Sequence, residues 1–209
     1  ICFCYNFMVE LIPDSKKILN PNLLDGELNY YPEFLSKKTS DDLFDKLKKK
    51  IPWKQDLIKV FGKTYSQPRL TSLHSTLKKK YSYSSITMTP LEMTPDLIYL
   101  MSQIKKINNT NFNTVLLNLY RDGSDSNGWH ADNEKELGKN PVIASLSLGE
   151  SRYFHLKHRT KKNQRFKIKL DHGSLLIMSG LMQHKWLHMI PKTKKILGER
   201  INLTYRKLV

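Results

Sequence analysis

The chain has almost no cysteine, few acids and no long apolar run, and each shortage excludes a class of protein. Its two cysteines, Cys2 and Cys4, stand at the extreme N-terminal end. They are too close together and too peripheral to act as a disulfide framework or to complete a zinc site. The chain therefore reads as intracellular, in the nucleus of a eukaryotic cell and otherwise in the cytoplasm. No apolar run reaches the length of a membrane span, so no membrane partner is expected. The first twelve residues are apolar but lack a basic leader and include Glu10, which makes a poor signal peptide. The sequence opens on Ile1 rather than methionine, so the native start is expected to lie elsewhere. Aspartate and glutamate number 19 against 35 lysines and arginines, a formal net charge of +16 with a pI near 9.7. The excess is clustered at Lys48 to Lys50, Lys78 to Lys80, Lys157 to Lys162 and Lys192 to Lys195. Any one cluster reads as a solvated surface. Together they favour a polyanion, with nucleic acid the default partner.

At 209 residues the chain is long enough for one domain with a substantial core. Residues 1–29 show no periodicity and read as an arm, leaving 30–209 as the domain. Tyr30 to Leu35 is a strand candidate. Ser40 before Asp41 and Asp42 reads as a helix start, with Leu43, Phe44 and Leu47 on its buried stripe and Pro52 as its stop. Val60 to Thr71 reads as a hairpin-like unit bounded by Gly62 and Pro68. Thr94 and Pro95 open a second helix, with Leu97, Ile98, Met101 and Ile104 facing a core. Short strands then recur between glycine turns, at Val142 to Leu148, Arg152 to Leu156, Phe166 to Leu170 and Leu175 to Met178. The predicted class is α+β, mainly β: a double-stranded β-helix, or jelly roll, with the N-terminal helices packed on one sheet.

The chemistry concentrates between Leu116 and Glu134. Asn118 and Tyr120 are two apart on a strand and share a face. Asp122 to Gly128 must be a loop. Trp129-His130-Ala131-Asp132 follows, and an extended His-x-Asp brings an imidazole and a carboxylate to one side, two of the three ligands of a facial metal site. His184 and His188 each offer a third ligand, whereas His155 sits in an alternating strand and His172 in a turn, where structural roles fit better. At the C-terminal end Arg200, Asn202, Thr204 and Arg206 alternate with Ile201, Leu203 and Tyr205. That strand has one polar and one apolar face. Its two guanidiniums suit a small dianion, because their forks bind carboxylates bidentately.

These residues give the chain its resemblance to the AlkB family of iron(II)- and 2-oxoglutarate-dependent dioxygenases, in the nucleic-acid alkylation-repair branch that includes AlkB homologues two and three. The matching pieces are Asn118-Leu119-Tyr120, His130-Ala131-Asp132, Trp186-Leu187-His188 and Arg200 through Arg206, in family order, within a likeness running from about Tyr30 to Val209. The resemblance implies that His130, Asp132 and His188 form the catalytic metal site for Fe(II), His188 being preferred to His184 because it completes Trp-x-His. It implies that Asn118, Tyr120, Arg200, Asn202, Thr204 and Arg206 hold 2-oxoglutarate, with O2 as the second cosubstrate. The implied reaction is oxidative demethylation of N1-methyladenine or N3-methylcytosine in DNA, with RNA a second substrate. It releases formaldehyde and turns 2-oxoglutarate into succinate and CO2.

Reaching a base in a duplex requires flipping it, at a cost on the order of a few kcal/mol that is least where pairing is already broken. The resemblance implies a nucleotide-recognition lid at about residues 58–90. There Val60 and Phe61 tip an apolar finger, Phe61 being equally readable as a core aromatic. Arg69 contacts a phosphate or caps a loop. Tyr83 covers the flipped base with Tyr81 beside it, in a run where lysines alternate with aromatics. Glu134 accepts from the base's amino group or is a solvated loop acid. Lys157, Arg159, Lys161 and Lys162 form a hairpin tip on the nucleic-acid backbone. The chain departs from its relatives at Leu73-His74-Ser75, where an aromatic-glycine turn is common, and at Asn133, where an acid is common. A monomer is expected. Two other readings stay open: an AlkB-like oxygenase of protein or lipid, and a nucleic-acid-binding module with a decayed iron site.

Overall fold

The computed structural model describes residues 21, 23–60, 62–77, 81–83 and 86–209, without the side chains of 59, 60, 81–83 and 86. The elements run β1 (Glu27–Tyr31), α1 (Lys37–Lys50), β2 (Leu57–Val60), β3 (Lys63–Ser66), β4 (Leu70–Ser75), β5 (Tyr81–Tyr83), β6 (Ile86–Met88), β7 (Leu91–Glu92) and α2 (Pro95–Ile107). Then come β8 (Thr114–Tyr120), β9 (Asn127–His130), β10 (Ile143–Gly149), β11 (Arg152–His158), β12 (Arg165–Leu170), β13 (Leu175–Ser179), α3 (Met182–Lys185), β14 (Trp186–Ile190) and β15 (Arg200–Arg206). Among the described residues no helix is long and apolar enough to cross a membrane.

Two N-terminal boundaries differ from the sequence reading. The first strand starts at Glu27, inside the stretch read as an arm, because Leu28 and Tyr30 both bury there. It ends before Pro32, which has no N–H for a ladder. Helix α1 starts one turn earlier than expected. Ser36, not Ser40, is the cap: its Oγ accepts from the Thr39 amide at 3.2 Å, and Ser40 is buried inside the first turns. The second helix is capped by Thr94 with Pro95 in its first turn, as expected.

From β8 onward the chain passes back and forth between two sheets. A seven-stranded sheet has the order β1-β13-β10-β15-β8-β4-β7 and a four-stranded sheet the order β12-β11-β14-β9. This is the expected jelly roll. The pairs β2–β3 and β5–β6 are separate hairpins outside both sheets, whereas β4, between them in sequence, is part of the large sheet.

Alternation along the large sheet separates two cores. On the outer face Val115, Leu117 and Leu119 of β8, Leu146 and Leu148 of β10, and Ile201, Leu203 and Tyr205 of β15 pack with Leu43 and Leu47 of α1 and Leu97, Leu100 and Ile104 of α2. Lys46 reaches Asp96 at 2.6 Å, and the Tyr205 hydroxyl donates to the Leu97 carbonyl, tying the helices to each other and to the sheet. On the inner face Leu116, Ile143, Leu176 and Met178 meet Phe154, Leu156, Ile168, Leu170, Trp186 and Ile190 of the small sheet. The β10–β11 turn is tight enough to require glycine: Gly149 has φ +84°, and a Cβ there would strike the Glu199 carbonyl and the Phe44 ring.

Candidate active site

The inner face turns polar at one end, and β8, β9, β14 and β15 meet there. Strands β9 and β14 pair so that His130 lies directly opposite His188. Their rings stand edge to face with centroids 4.3 Å apart. Asp132 follows β9 and is 2% exposed. Ligand atoms of His130, Asp132 and His188 all lie within 4.8 Å of one another. His184 takes no part in this group; it accepts from the Asn140 amide at 3.3 Å.

The electrostatics suit a cation. Burial, reinforced by His130, pushes the His188 imidazole down to about 3. Burial likewise lowers His130. Both rings are therefore neutral and carry a lone pair. His130 Nδ1 donates to the Gly128 carbonyl at 2.7 Å, which leaves Nε2 as its acceptor nitrogen. For Asp132, burial pushes the carboxyl up, but the Arg206 guanidinium beside it outweighs burial and holds the group below the usual carboxylate range. The Arg206 Nη2 donates to Asp132 Oδ1 at 2.9 Å. From the other side the fully buried Gln183 accepts from the Asp132 amide at 2.9 Å. Two neutral imidazoles and one fixed carboxylate are the donor set of a facial iron(II) site.

The same cavity continues along the inner face of β15. It is lined by Asn118, Tyr120, Arg200, Asn202, Thr204 and Arg206 together with the three metal-site residues. In the ladder Arg200 faces Tyr120 and Asn202 faces Asn118 on one side, while Asn202 faces Ser147 and Thr204 faces Ser145 on the other. Thr204 donates to Asn202 Oδ1, and Asn202 donates to Ser145 Oγ and the Leu146 carbonyl, so this part of the lining is locked to β10. Arg200 differs. It is 1% exposed, lies 5.1 Å over the Tyr120 ring and gives Nη2 to Ser147 Oγ, yet its Nε and Nη1 have no hydrogen-bond partner. Burial, with Arg152 close by, lowers it to about 10. A buried guanidinium with unmet donors is costly unless an anion completes it. The residues present therefore fit a dicarboxylate beside the metal ligands.

Several further residues hold this arrangement together. Arg152 crosses under the loop after β8, donating to the carbonyls of Asp122, Asp125 and Pro191. Asp125 takes the Arg121 amide and both ends of its guanidinium. Ser145 and Ser147 are detectable in the sequence, since they alternate with Leu146 and Leu148 in the expected strand Val142 to Leu148. Gln183 and Arg152 carry no motif, and only the tertiary contacts reveal them.

The expected substrate residues scatter more widely. Arg69 is 3% exposed, donates from Nε to Asn118 Oδ1 at 2.8 Å and from Nη1 to the Ser126 carbonyl, contacts that fit the loop-holding one of its two readings. With Asn118 Oδ1 taken, its amide nitrogen is the end left for the cavity. His74, at the departure from the family pattern, is buried and bonded to Ser72 and the Glu92 carbonyl, which continues β4 where a turn is common. Glu134 is half-buried two residues past Asp132, and its carbonyl opens a 3-10 turn over Lys135–Leu137. Lys157 lies on β11 with its Nζ 4.4 Å from the Trp129 ring centroid, and Arg159, Lys161 and Lys162 are exposed on the tip that follows, shaped by the Thr160 and Lys161 amides donating to His158 Nδ1. Phe61 lies outside the described residues, as do the side chains of Val60, Tyr81 and Tyr83.

Fold and donor set together define an iron(II) oxygenase with a dicarboxylate cosubstrate. Residues 27–206 match the 2OG-Fe(II) oxygenase superfamily, and the chain belongs to it. The family's iron(II), 2-oxoglutarate and O2 are thus its cofactor and cosubstrates. Among similar proteins, the alpha-ketoglutarate-dependent dioxygenase alkB homolog 3 of Bos taurus is 42% identical over 184 residues, covering 84% of this chain and 64% of the relative. The DNA oxidative demethylase ALKBH2 of Homo sapiens is 32% identical over 189 residues, covering 86% of this chain and 72% of the relative. A solved structure, that of OsALKBH1, superposes with a TM-score of 0.64 at 16% identity over 90% of this chain and 100% of that one, a likeness of fold. The chain spans less than two thirds of the length of its alkB homolog 3 relative.

Proposed function

We propose that this protein is an oxidative demethylase of nucleic-acid bases. It removes the methyl group of N1-methyladenine or N3-methylcytosine in DNA, with RNA a second substrate, and releases formaldehyde. The observation that carries the reading is the junction at Arg206. One buried guanidinium holds the carboxylate of a metal ligand and shares a cavity with Arg200, whose donors await an anion. Metal and dicarboxylate side by side is what the reaction requires. The relatives' names, a dioxygenase and a DNA oxidative demethylase, support the substrate class. So does a net charge of +16.

When bound, iron(II) with 2-oxoglutarate and O2 supplies the oxidation of a methyl carbon–hydrogen bond, with succinate and CO2 as by-products. The chain's own residues supply position and exclusion of water. His130, Asp132 and His188 hold the metal. Arg200 and Arg206, with Asn118, Tyr120, Asn202 and Thr204, hold the dicarboxylate. Gln183 keeps the Asp132 backbone fixed while Arg206 fixes its carboxylate. Glu134 accepts from the exocyclic amino group of adenine or cytosine, and Tyr83 stacks on the base with Tyr81 beside it. Val60 and Phe61 probe the duplex, and Lys157, Arg159, Lys161 and Lys162 meet the backbone. The protein acts as a monomer where genomic nucleic acid lies, in the nucleus of a eukaryotic cell and otherwise in the cytoplasm.

A panel of methylated oligonucleotides, read for formaldehyde and succinate together, tests this. Equal yields of both with N1-methyladenine or N3-methylcytosine are expected, and no stimulation by any methylated oligonucleotide would overturn the reading. Glu134→Gln should narrow the preference for N1-methyladenine over N3-methylthymine, which lacks the amino group. An unchanged ratio removes Glu134 from the base site.

A further inference from the structure

The outer face of the four-stranded sheet is not used by the chemistry above, and it is not an ordinary solvated face. In the β11–β12 ladder Tyr153 pairs with Lys169, His155 with Lys167 and Lys157 with Arg165. Strand β12 thus presents three cations in a row, Arg165, Lys167 and Lys169, all exposed. Two large rings stand on the same sheet: Tyr153 is 46% exposed and Trp129 37% exposed. Each carries a lysine over its face. Lys167 Nζ is 3.7 Å from the Tyr153 centroid, and Lys157 Nζ is 4.4 Å from that of Trp129. The ion pair at this face is Lys169 with Asp171, at its margin and solvent-exposed. Strands β11 and β9 flank β14, so the two strands that carry the rings are two strand spacings apart, about 10 Å.

Exposed aromatics interleaved with a row of cations, of which Lys169 has an acid partner at the margin, suit one ligand. We infer that this face is a second nucleic-acid surface that takes a single strand, its bases on Tyr153 and Trp129 and its phosphates on Arg165, Lys167 and Lys169. A duplex keeps its base faces inside its own stack, so open rings select unpaired nucleotides. In the free protein the lysines rest on the rings. A bound strand exchanges both at once, with phosphate taking the ammonium and a base taking the ring. The basic tip at Lys161 and Lys162 joins β11 to β12, so a strand on this face runs on toward the proposed backbone contacts. This inference rests on the nucleic-acid reading above and adds to it where the chain flanking the target base is held.

The test uses the iron-loaded protein and a fluorescein-labelled, unmodified dT12, with affinity read by anisotropy across a salt series. Tyr153→Ala should weaken binding roughly 5-fold or more, the lower end for one lost base stack, and Tyr153→Phe should restore it. Replacing both Arg165 and Lys167 by Gln should lower the salt slope by about 1.4, about 0.7 for each single-strand phosphate contact. Turnover of a free methylated nucleoside should match wild type in all three variants. Wild-type dT12 affinity in both Tyr153→Ala and the double Gln variant overturns the surface while leaving the demethylase reading intact. Loss of nucleoside turnover along with binding overturns it as well, since the face would then be supporting the fold. If wild type releases no formaldehyde from any methylated substrate, the demethylase reading has failed, and tight dT12 binding that depends on Tyr153 would still uphold the surface.

Discussion

The two faces of β15 are equally buried and differently built. Ile201, Leu203 and Tyr205 belong to the helix-covered apolar core, where the Tyr205 hydroxyl donates to the Leu97 carbonyl. Arg200, Asn202, Thr204 and Arg206 point the other way, all less than 9% exposed, into a cavity of hydrogen-bonding groups. One face stabilises the protein by removing apolar surface from water. The other costs free energy, because charged groups have left water and one of them is incompletely paired. The comparison teaches that the apolar side of β15 anchors a strand whose polar side is bonded at Asn202, Thr204 and Arg206 and fits an anion at Arg200.

Four experiments would break or sharpen this contrast. The largest effect belongs to Asp132→Ala. It removes a proposed metal ligand and the carboxylate that Arg206 serves, so iron content and the proposed demethylation should both fall to background. Retention of stoichiometric iron would show that the metal sits elsewhere. Leu203→Ala acts on the opposite face and should cost about 2–5 kcal/mol of unfolding free energy, as a buried leucine truncation does. Denaturant melts of the metal-free protein measure it. A loss below about 1 kcal/mol would mean that the outer core does not hold the strand.

Arg200→Leu separates the two roles most directly. Removing a buried, incompletely paired charge should leave metal-free stability unchanged or raised. It should weaken 2-oxoglutarate by roughly 1.5–3 kcal/mol, the worth of a charged hydrogen bond, in anaerobic calorimetry. Unaltered cosubstrate affinity would end the assignment of Arg200. The smallest effect is expected at Ser147→Ala, which deletes one bond to Arg200 and leaves the ladder intact. A loss of about 0.5–1.5 kcal/mol in cosubstrate affinity would fit one ordinary hydrogen bond. A loss as large as that of Arg200→Leu would mean that Ser147 sets the guanidinium's position outright.

Legibility in the sequence followed the range of the interactions. The His-x-Asp segment and the alternating tail are local patterns. Each side chain's face follows from strand period, so the polar set Arg200, Asn202, Thr204 and Arg206 could be read without a structure. The choice between His184 and His188 could not be made from ligand type alone. Their separation decides it in three dimensions, because only His188 is opposite His130 across the β9–β14 ladder. The start of α1 was misread because Ser36 and Ser40 offer equivalent caps one turn apart, and the burial that selects between them comes from the rest of the fold. For Arg69 the sequence leaves a phosphate contact and a loop cap both open, for the same kind of reason. An arginine in a glycine- and proline-bounded unit looks exposed until β4 is seen inside the large sheet beside β8.

The sequence by itself determined the class of fold, the charge that suits a polyanion, and which residue types could bind a metal and a dicarboxylate. Those properties depend on composition and on neighbours one to four residues apart. Only the tertiary structure decided that Arg206 reaches 74 positions back to Asp132, that Gln183 fixes the same residue's backbone, and that Tyr153 and Trp129 share a basic face. A pairing between distant strands depends on sheet order and register. Register is set by which whole face each strand buries, and no local stretch of residues carries that information.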